Sequence, residues 1–379
     1  VLLLGVSLFC FAGNFKKIEF QFDYYSLILI FSSTLLIMNV VLRENLNIDY
    51  LKLPFFFLSL VPIYIYLSYT GLSYKVMSAM IGLASIVGGC VGIYQTYALG
   101  MTQATGPFWM SSFGALGVIF LFFNMAVFIE YLKNKNYDYA HLAFYIASFI
   151  GSISILYTSI SRSSIVTVAV LLTLFLFYFR IWKRKKVIIA TILLLVCAVS
   201  FYNLFPENRL NIRINYAIYS VVNYDVNKPG TSNATVRIDM WRAALQIGID
   251  NPIVGVGLSN HRQAVKSVQL ESNLNPFIWR NASHMHSDFF DLFSKFGLIG
   301  VTLYAALMIT TLLTYWQNKN TLTVTQQVLF LSHIITFIVY GLFDTAIGVT
   351  NATALLFIPL TIFLALTRFY RMEQLESKN

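Results

Sequence analysis

Charge is what this chain has least of. Asp, Glu, Lys and Arg make up 11% of its 379 residues, against roughly 25% in a soluble domain. That deficit excludes a water-exposed globule. Cysteine is scarce as well: Cys10, Cys90 and Cys197 all fall inside apolar runs, so no pair is placed for a disulfide framework. Also missing are HExxH, DxD and GxxxxGK[ST]. Zinc-peptidase chemistry, metal-dependent transfer from nucleotide sugars and nucleotide hydrolysis therefore have no signature here.

In place of charge there is hydrophobicity, 58% of the residues, arranged in long continuous runs. A helix crossing the hydrocarbon core needs about 20 apolar residues. Runs of that kind lie at about 1–13, 24–42, 53–70, 76–99, 108–131, 140–158, 163–181, 187–205, 297–316, 325–343 and 350–368. Continuous runs, unlike alternating ten-residue strands, specify helices and not a barrel. The expected fold class is all-α, a polytopic transmembrane bundle of about 11–12 spans with one large extramembrane loop. Its organisation divides into residues 1–205, the loop subdomain 206–290, and residues 291–379. Val1 stands where an initiator methionine belongs, and no cleavable signal pattern precedes the first run, so the expectation is a truncated start.

The net charge of +10 is mostly topological. Arg180, Lys183, Arg184, Lys185 and Lys186 form one short cluster of cytoplasmic type, and Arg368, Arg371 and Lys378 form a second. Counting spans from these points places 206–290 and Asp344 on the external face. Lys16, Lys17, Lys75, Lys133, Lys135 and Lys319 then fall inside, whereas Arg43 and Lys52 depart from the pattern. Anionic membrane lipids are the expected partners of the basic clusters, and no nucleic acid is expected.

Only 206–290 is long enough to carry a function outside the membrane, since loops of that size without a role are uncommon. Within it TSNATVRIDMWRAALQIGIDNP reads as a helix capped by Ser232 or Asn233, with Val236, Met240, Ala244 and Ile247 at helical spacing. Asn251-Pro252 ends it, and Gly255 and Gly257 supply a turn. Arg237 and Arg242 lie five positions apart, roughly 140° around the axis, so one helix cannot aim both at one point. Arg237 shares a stripe with Trp241 and is the expected ligand-facing cation; Arg242 is the supporting one. Arg162, in SISRSS between two spans, is costly there without a partner, and its planar fork suits phosphate oxygens. The alternative is that it simply reaches to the interface.

Five histidines are present: His141, His261, His284, His286 and His333. His261, His284 and His286 lack a Glu or Cys at metal-binding spacing, so no metal site is expected. A single imidazole acting as general base needs only reach and a proton affinity near neutrality. His286 is that candidate, with His284 in support. Asp344, at the end of a span in YGLFDTAIGV, can orient a histidine or pair with an arginine. A plain interfacial cap is the competing reading.

His286-Ser287, nine residues and then Gly297-Leu-Ile-Gly300 resembles the H-[N/S/Q]-x9-G-x-x-[G/T/Y] signature of bacterial O-antigen ligases. VRIDMWRAALQIGIDNPIVGVG resembles the R…W…NP segment of the wider ligase and polymerase superfamily, and SRSS and Thr105–Phe108 match its style. The resemblance covers the central and C-terminal parts of the chain. It implies a GT-C-type membrane glycosyltransferase of the bacterial inner membrane, working at the periplasmic face without metal or nucleotide cofactor. Such an enzyme moves a glycan from undecaprenyl diphosphate to an acceptor hydroxyl, on lipid A-core in the ligases, giving lipopolysaccharide. Carried over, Arg162 and Arg237 hold the diphosphate and His286 activates the acceptor.

Three other readings stay open. An O-antigen or capsule polymerase adds the glycan to another lipid-linked glycan, and Arg237, ten residues and Gly248 form an R-x10-G element of the kind described there. A protein O-oligosaccharyltransferase shares the loop motif. A transporter of lipid-linked sugars is expected to show inverted repeats and mid-membrane charges, whereas here the informative charges gather at one face.

Overall fold

The structure, a computed structural model, describes residues 23–43, 48–107, 109–133, 138–178, 209–280 and 283–376. The expected spans 1–13 and 187–205 lie outside these residues. So do Cys10, Cys197, Lys16, Lys17, Lys135, Lys378 and the basic cluster from Arg180 to Lys186.

Among the described residues every regular element is helical. In chain order these are α1 (Tyr24–Arg43), α2 (Lys52–Thr70), α3 (Tyr74–Ile93), α4 (Met110–Lys133), α5 (Tyr139–Ser159) and α6 (Arg162–Tyr178). There follow α7 (Arg209–Val222), α8 (Asn233–Asp250), α9 (Leu258–Glu271), α10 (Asp288–Asn318), α11 (Val324–Phe343) and α12 (Thr350–Glu376). Eight are long and apolar enough to cross a membrane, and α6 is a shorter apolar helix. These nine match the nine expected spans that fall on described residues. The chain is a multi-pass membrane protein.

One expectation is corrected. The span anticipated over 297–316 begins at Asp288 and bends at Gly297, whose backbone is non-helical (φ 61°, ψ −152°). The apolar run concealed this start, because Asp288, Asp291 and Lys295 interrupt it with charges that turn out to be buried.

The bundle is held by two kinds of contact. An apolar cluster joins Tyr25, Phe57, Tyr64, Phe123, Phe330 and Phe357 from α1, α2, α4, α11 and α12. Elsewhere small residues let backbones approach: a Cβ on Gly89 would stand 2.7 Å from the Gly151 Cα, so α3 and α5 touch backbone to backbone. Beside that contact Asn124 of α4 donates to Ser85 Oγ (2.8 Å) and Ser152 Oγ (3.0 Å), a buried polar tie between three helices.

The loop helices have a buried cluster of their own, built from Met240, Ala243, Ala244 and Ile247 of α8 with Val265 and Val268 of α9. Ser232 caps α8 in a reciprocal pair with Thr235, as its position predicts. Asp239, fully buried, accepts hydrogen bonds from the Gly230 and Asn275 amides (2.7 and 2.9 Å) and from Tyr224 Oη (2.5 Å). One carboxylate thus gathers three loop segments around α8.

The turn after α8 is what docks this unit onto the bundle. A Cβ on Gly297 would lie 2.4 Å from the Ile253 carbonyl carbon, and one on Gly255 2.4 Å from that of Lys295. Across this approach Val256 N and Gly257 N donate to Ser294 O and Lys295 O (3.1 and 2.9 Å). Leu298 N and Ile299 N donate to Pro252 O and Ile253 O (2.8 and 3.2 Å). The kink at Gly297 frees those helical N–H groups, and the Asn-Pro turn supplies their acceptors. Nearby, Gly248 leaves room for the Phe293 ring, which would stand 2.3 Å from a Cβ there.

Candidate active site

The docking of α8 against α10 brings four distant parts of the sequence to one place. His286 precedes α10 by two residues, Asp344 follows α11, Arg237 lies in the first turns of α8, and Ser111 opens α4. His286 Nδ1 lies 3.0 Å from Asp344 Oδ1. Ser111 Oγ donates to Asp344 Oδ2 at 2.5 Å, and the Thr345 amide donates to Oδ1 at 3.0 Å. Arg237 Nη1 donates to the Phe343 carbonyl (2.5 Å), while Nη2 stands 3.9 Å from Asp344 Oδ2.

Asp344 is buried. Burial pushes its carboxyl up, but the His286 hydrogen bond, the Arg237 charge and the Ser111 hydroxyl outweigh it and hold the group at about 2. An ionised carboxylate can only accept. Facing it, His286 Nδ1 must carry the hydrogen, which leaves the lone pair on Nε2. The imidazole is thereby set as a base in one defined tautomer.

Its backbone is set too. His286 adopts φ 50°, a conformation uncommon for a non-glycine residue. Trp241 Nε1 donates to its carbonyl at 3.3 Å, and the Trp241 indole stacks on Phe290 (5.6 Å, 17°). Arg237 and Trp241, four residues apart on α8, thus reach the same site from one helix face. Arg242 turns elsewhere, to Tyr224 Oη and Val226 O (both 2.9 Å) and toward Asp239 (4.0 Å). The structure does not bring it to His286.

His284 packs its ring against His286, edge to face at 4.6 Å. Burial and the neighbouring His286 push its imidazole down, so it is uncharged at neutral pH. His284, His286 and Asp344 offer ligand atoms all within 4.8 Å of one another. The sequence reading missed this trio because its carboxylate lies 58 positions from His286. Of the other histidines, His261 is buried and bonded to Ser294 Oγ (2.9 Å), His333 to the Leu356 carbonyl (2.6 Å), and His141 pairs with Asp138 (2.6 Å).

Arg162 opens α6. The serines around it, Ser161 and Ser164, lie against Gly114 of α4, where a Cβ would meet them at 2.7 and 2.5 Å. Gly114 is one turn along α4 from Ser111, so Arg162 stands at the end of the bundle that carries Asp344.

Sequence reasoning did not find Asp288. Its Oδ1 accepts from the amides of Ala346 and Ile347 (2.8 and 2.9 Å), which fixes the segment just after Asp344. Among the described residues its Oδ2, which is buried, has no hydrogen-bond partner. The available signal was the spacing of Asp288, Asp291 and Lys295 within an apolar helix, since buried charges in a span rarely lack a role.

With this geometry in hand, residues 147–305 match the family model described as O-Antigen ligase. That segment is similar to the family over the stretch from α5 to α10. The matched segment includes Arg162, Arg237, His284 and His286. A Haemophilus influenzae protein described as uncharacterized is 21% identical over 345 residues, covering 90% of this chain and 86% of its own length. Similarity to that relative therefore extends well beyond the domain, into the helices on both sides.

Proposed function

We propose that this protein is a metal-independent, polyprenyl-diphosphate-dependent glycosyltransferase of the O-antigen ligase type. Its donor is a glycan on undecaprenyl diphosphate and its acceptor a hydroxyl on lipid A-core, at the periplasmic face of the inner membrane. The observation that carries the reading is the His286–Asp344–Arg237 constellation, in which one ionised carboxylate faces both the imidazole Nδ1 and a guanidinium, leaving the lone pair on Nε2.

In this reaction the acceptor oxygen attacks the anomeric carbon and gives its proton to His286 Nε2. The bond from that carbon to the phosphate oxygen breaks, and the diphosphate leaves with the electron pair. Arg237 and Arg162 meet the charge that grows on it, an interaction stronger in the transition state than in the ground state. Asp344 is a positioning group for the imidazole and stabilises the imidazolium that forms. Ser111 and the Thr345 amide keep its oxygens in place.

Deleting the gene tests the assignment. Loss of all polymer on lipid A-core, with full-length polymer accumulating on the lipid carrier, is the expected outcome. Accumulation of single repeat units instead indicates a polymerase, and an unchanged lipopolysaccharide with lost glycoprotein indicates a protein-directed transferase.

A further inference from the structure

Among the described residues one group of histidines and carboxylates stands close enough to hold a metal ion. It consists of His284, His286 and Asp344, whose ligand atoms lie within 4.8 Å of one another. Proton transfer uses His286 and Asp344 and leaves His284 without a task.

The donor set has a chemical preference. Two imidazoles and one carboxylate suit Zn²⁺, whereas Mg²⁺ takes oxygen ligands. With bonds of about 2.0 Å, the ligand atoms of a tetrahedral site stand roughly 3.3 Å apart. His286 Nδ1 and Asp344 Oδ1 are already 3.0 Å apart. That pair needs only to open slightly, and the His284 ring to turn toward it. Three protein ligands then leave a fourth position for water.

The ligands are also braced from behind, as metal ligands commonly are. His284 Nδ1 lies 3.0 Å from Ser283 Oγ, which can take the hydrogen there and leave a lone pair on Nε2. Ser111 holds Asp344 Oδ2, and the Thr345 amide holds Oδ1. The His286 side chain keeps 20% of its surface exposed, so the trio is open to an ion from outside.

A metal on Nδ1 has a defined consequence for the base. In the free site the hydrogen of His286 sits on Nδ1, facing Asp344, and the lone pair on Nε2. When a cation takes Nδ1 that hydrogen moves to Nε2, the carboxylate stays ionised and no net proton is released. His286 then presents an N–H where the acceptor hydroxyl needs a lone pair. Arg237 works against the ion, since its Nη2 stands 3.9 Å from Asp344 Oδ2 and a guanidinium so near a ligand repels a cation.

We propose that His284, His286 and Asp344 form a reversible inhibitory site for a divalent transition metal such as Zn²⁺, which stops transfer by moving the His286 hydrogen to Nε2. The inference rests on the transferase reading, in which the metal is an inhibitor and not a cofactor.

Binding is measured by calorimetric titration of Zn²⁺, with Mg²⁺ alongside, into the full chain in detergent. One Zn²⁺ per chain and no Mg²⁺ is the expected result. His284→Gln is expected to weaken Zn²⁺ at least about tenfold. Arg237→Ala is expected to tighten it by about tenfold, the opposite of its effect on undecaprenyl diphosphate. An unaltered melting curve checks that both variants fold. Transfer by wild type is expected to fall in step with Zn²⁺ occupancy and to return on chelation. Absence of Zn²⁺ binding to wild type overturns the inference, as does equal binding of Mg²⁺. So does His284→Gln that binds as tightly as wild type, Arg237→Ala that binds no more tightly, or full transfer with Zn²⁺ bound. A wild type that binds Zn²⁺ yet transfers nothing without it sinks the transferase reading and the inhibitory role with it. One that transfers but holds no Zn²⁺ sinks the inference alone.

Discussion

At the scale of single residues the account turns on which nitrogen of His286 holds the proton. Asp344 decides that by staying ionised. Replacing it with Asn offers an amide that can donate to Nδ1, which moves the hydrogen to Nε2 and blocks the base. Asp344→Asn is expected to lower kcat on the order of 10³-fold with KM little changed, measured by transfer in reconstituted membranes. The same carboxyl makes a second signature. Its folded value of about 2 lies below its ordinary one, so its contribution to stability is full above about pH 4 and fades as pH falls toward 2. The melting-temperature gap between wild type and Asp344→Asn is therefore expected to stay constant from pH 5 to pH 8 and to close below about pH 3. Arg237 and Arg242 divide by helix face. Arg237→Ala is expected to weaken undecaprenyl diphosphate binding about tenfold or more, and Arg242→Ala much less. The reverse order in a binding titration would contradict the geometry.

At the scale of elements, glycine spacing carries the information. The Gly297-Leu-Ile-Gly300 motif and the Asn251–Gly257 turn looked like separate signals in the sequence, one a family signature and one a helix stop. In the fold they are the two halves of one contact, joined by two backbone hydrogen bonds from Leu298 and Ile299, with two more from the turn to Ser294 and Lys295 just before the motif. Gly297 has positive φ and a neighbouring carbonyl where a Cβ would sit. Gly297→Ala is expected to cost about 1–3 kcal/mol, read as a lower melting temperature in detergent, and to loosen His286 with α10. The periodicity of α8 was legible, because Met240, Ala244 and Ile247 repeat at helical spacing and are buried together. The start of α10 was not, because hydropathy treats Asp288 and Asp291 as loop residues. Asp288 is buried by a tertiary partner, the Ala346 and Ile347 amides, that no local window contains, while Asp291 is paired by Lys295 one turn along the same helix.

At the scale of the whole molecule, the nine expected spans on described residues all recur as helices, since span length and hydropathy are properties of each segment alone. The site was legible only in part. His286, Arg237 and Asp344 were each singled out, but Ser111 and the pairing of His286 with Asp344 depend on how α4, α10 and α11 meet. Topology is open to direct measurement. In a cysteine-free background, Val226→Cys in the loop unit is expected to react with an impermeant maleimide in intact spheroplasts. Asn320→Cys, at the far end of α10, is expected to react only after lysis; labelling of both in intact cells would reverse or break the arrangement. The measurement that bears most directly on the central claim is turnover by the reconstituted protein carrying His286→Ala, with glycan-loaded undecaprenyl diphosphate as donor. The account predicts transfer reduced at least about 10³-fold with donor still bound; a variant that transfers at the wild-type rate would contradict it.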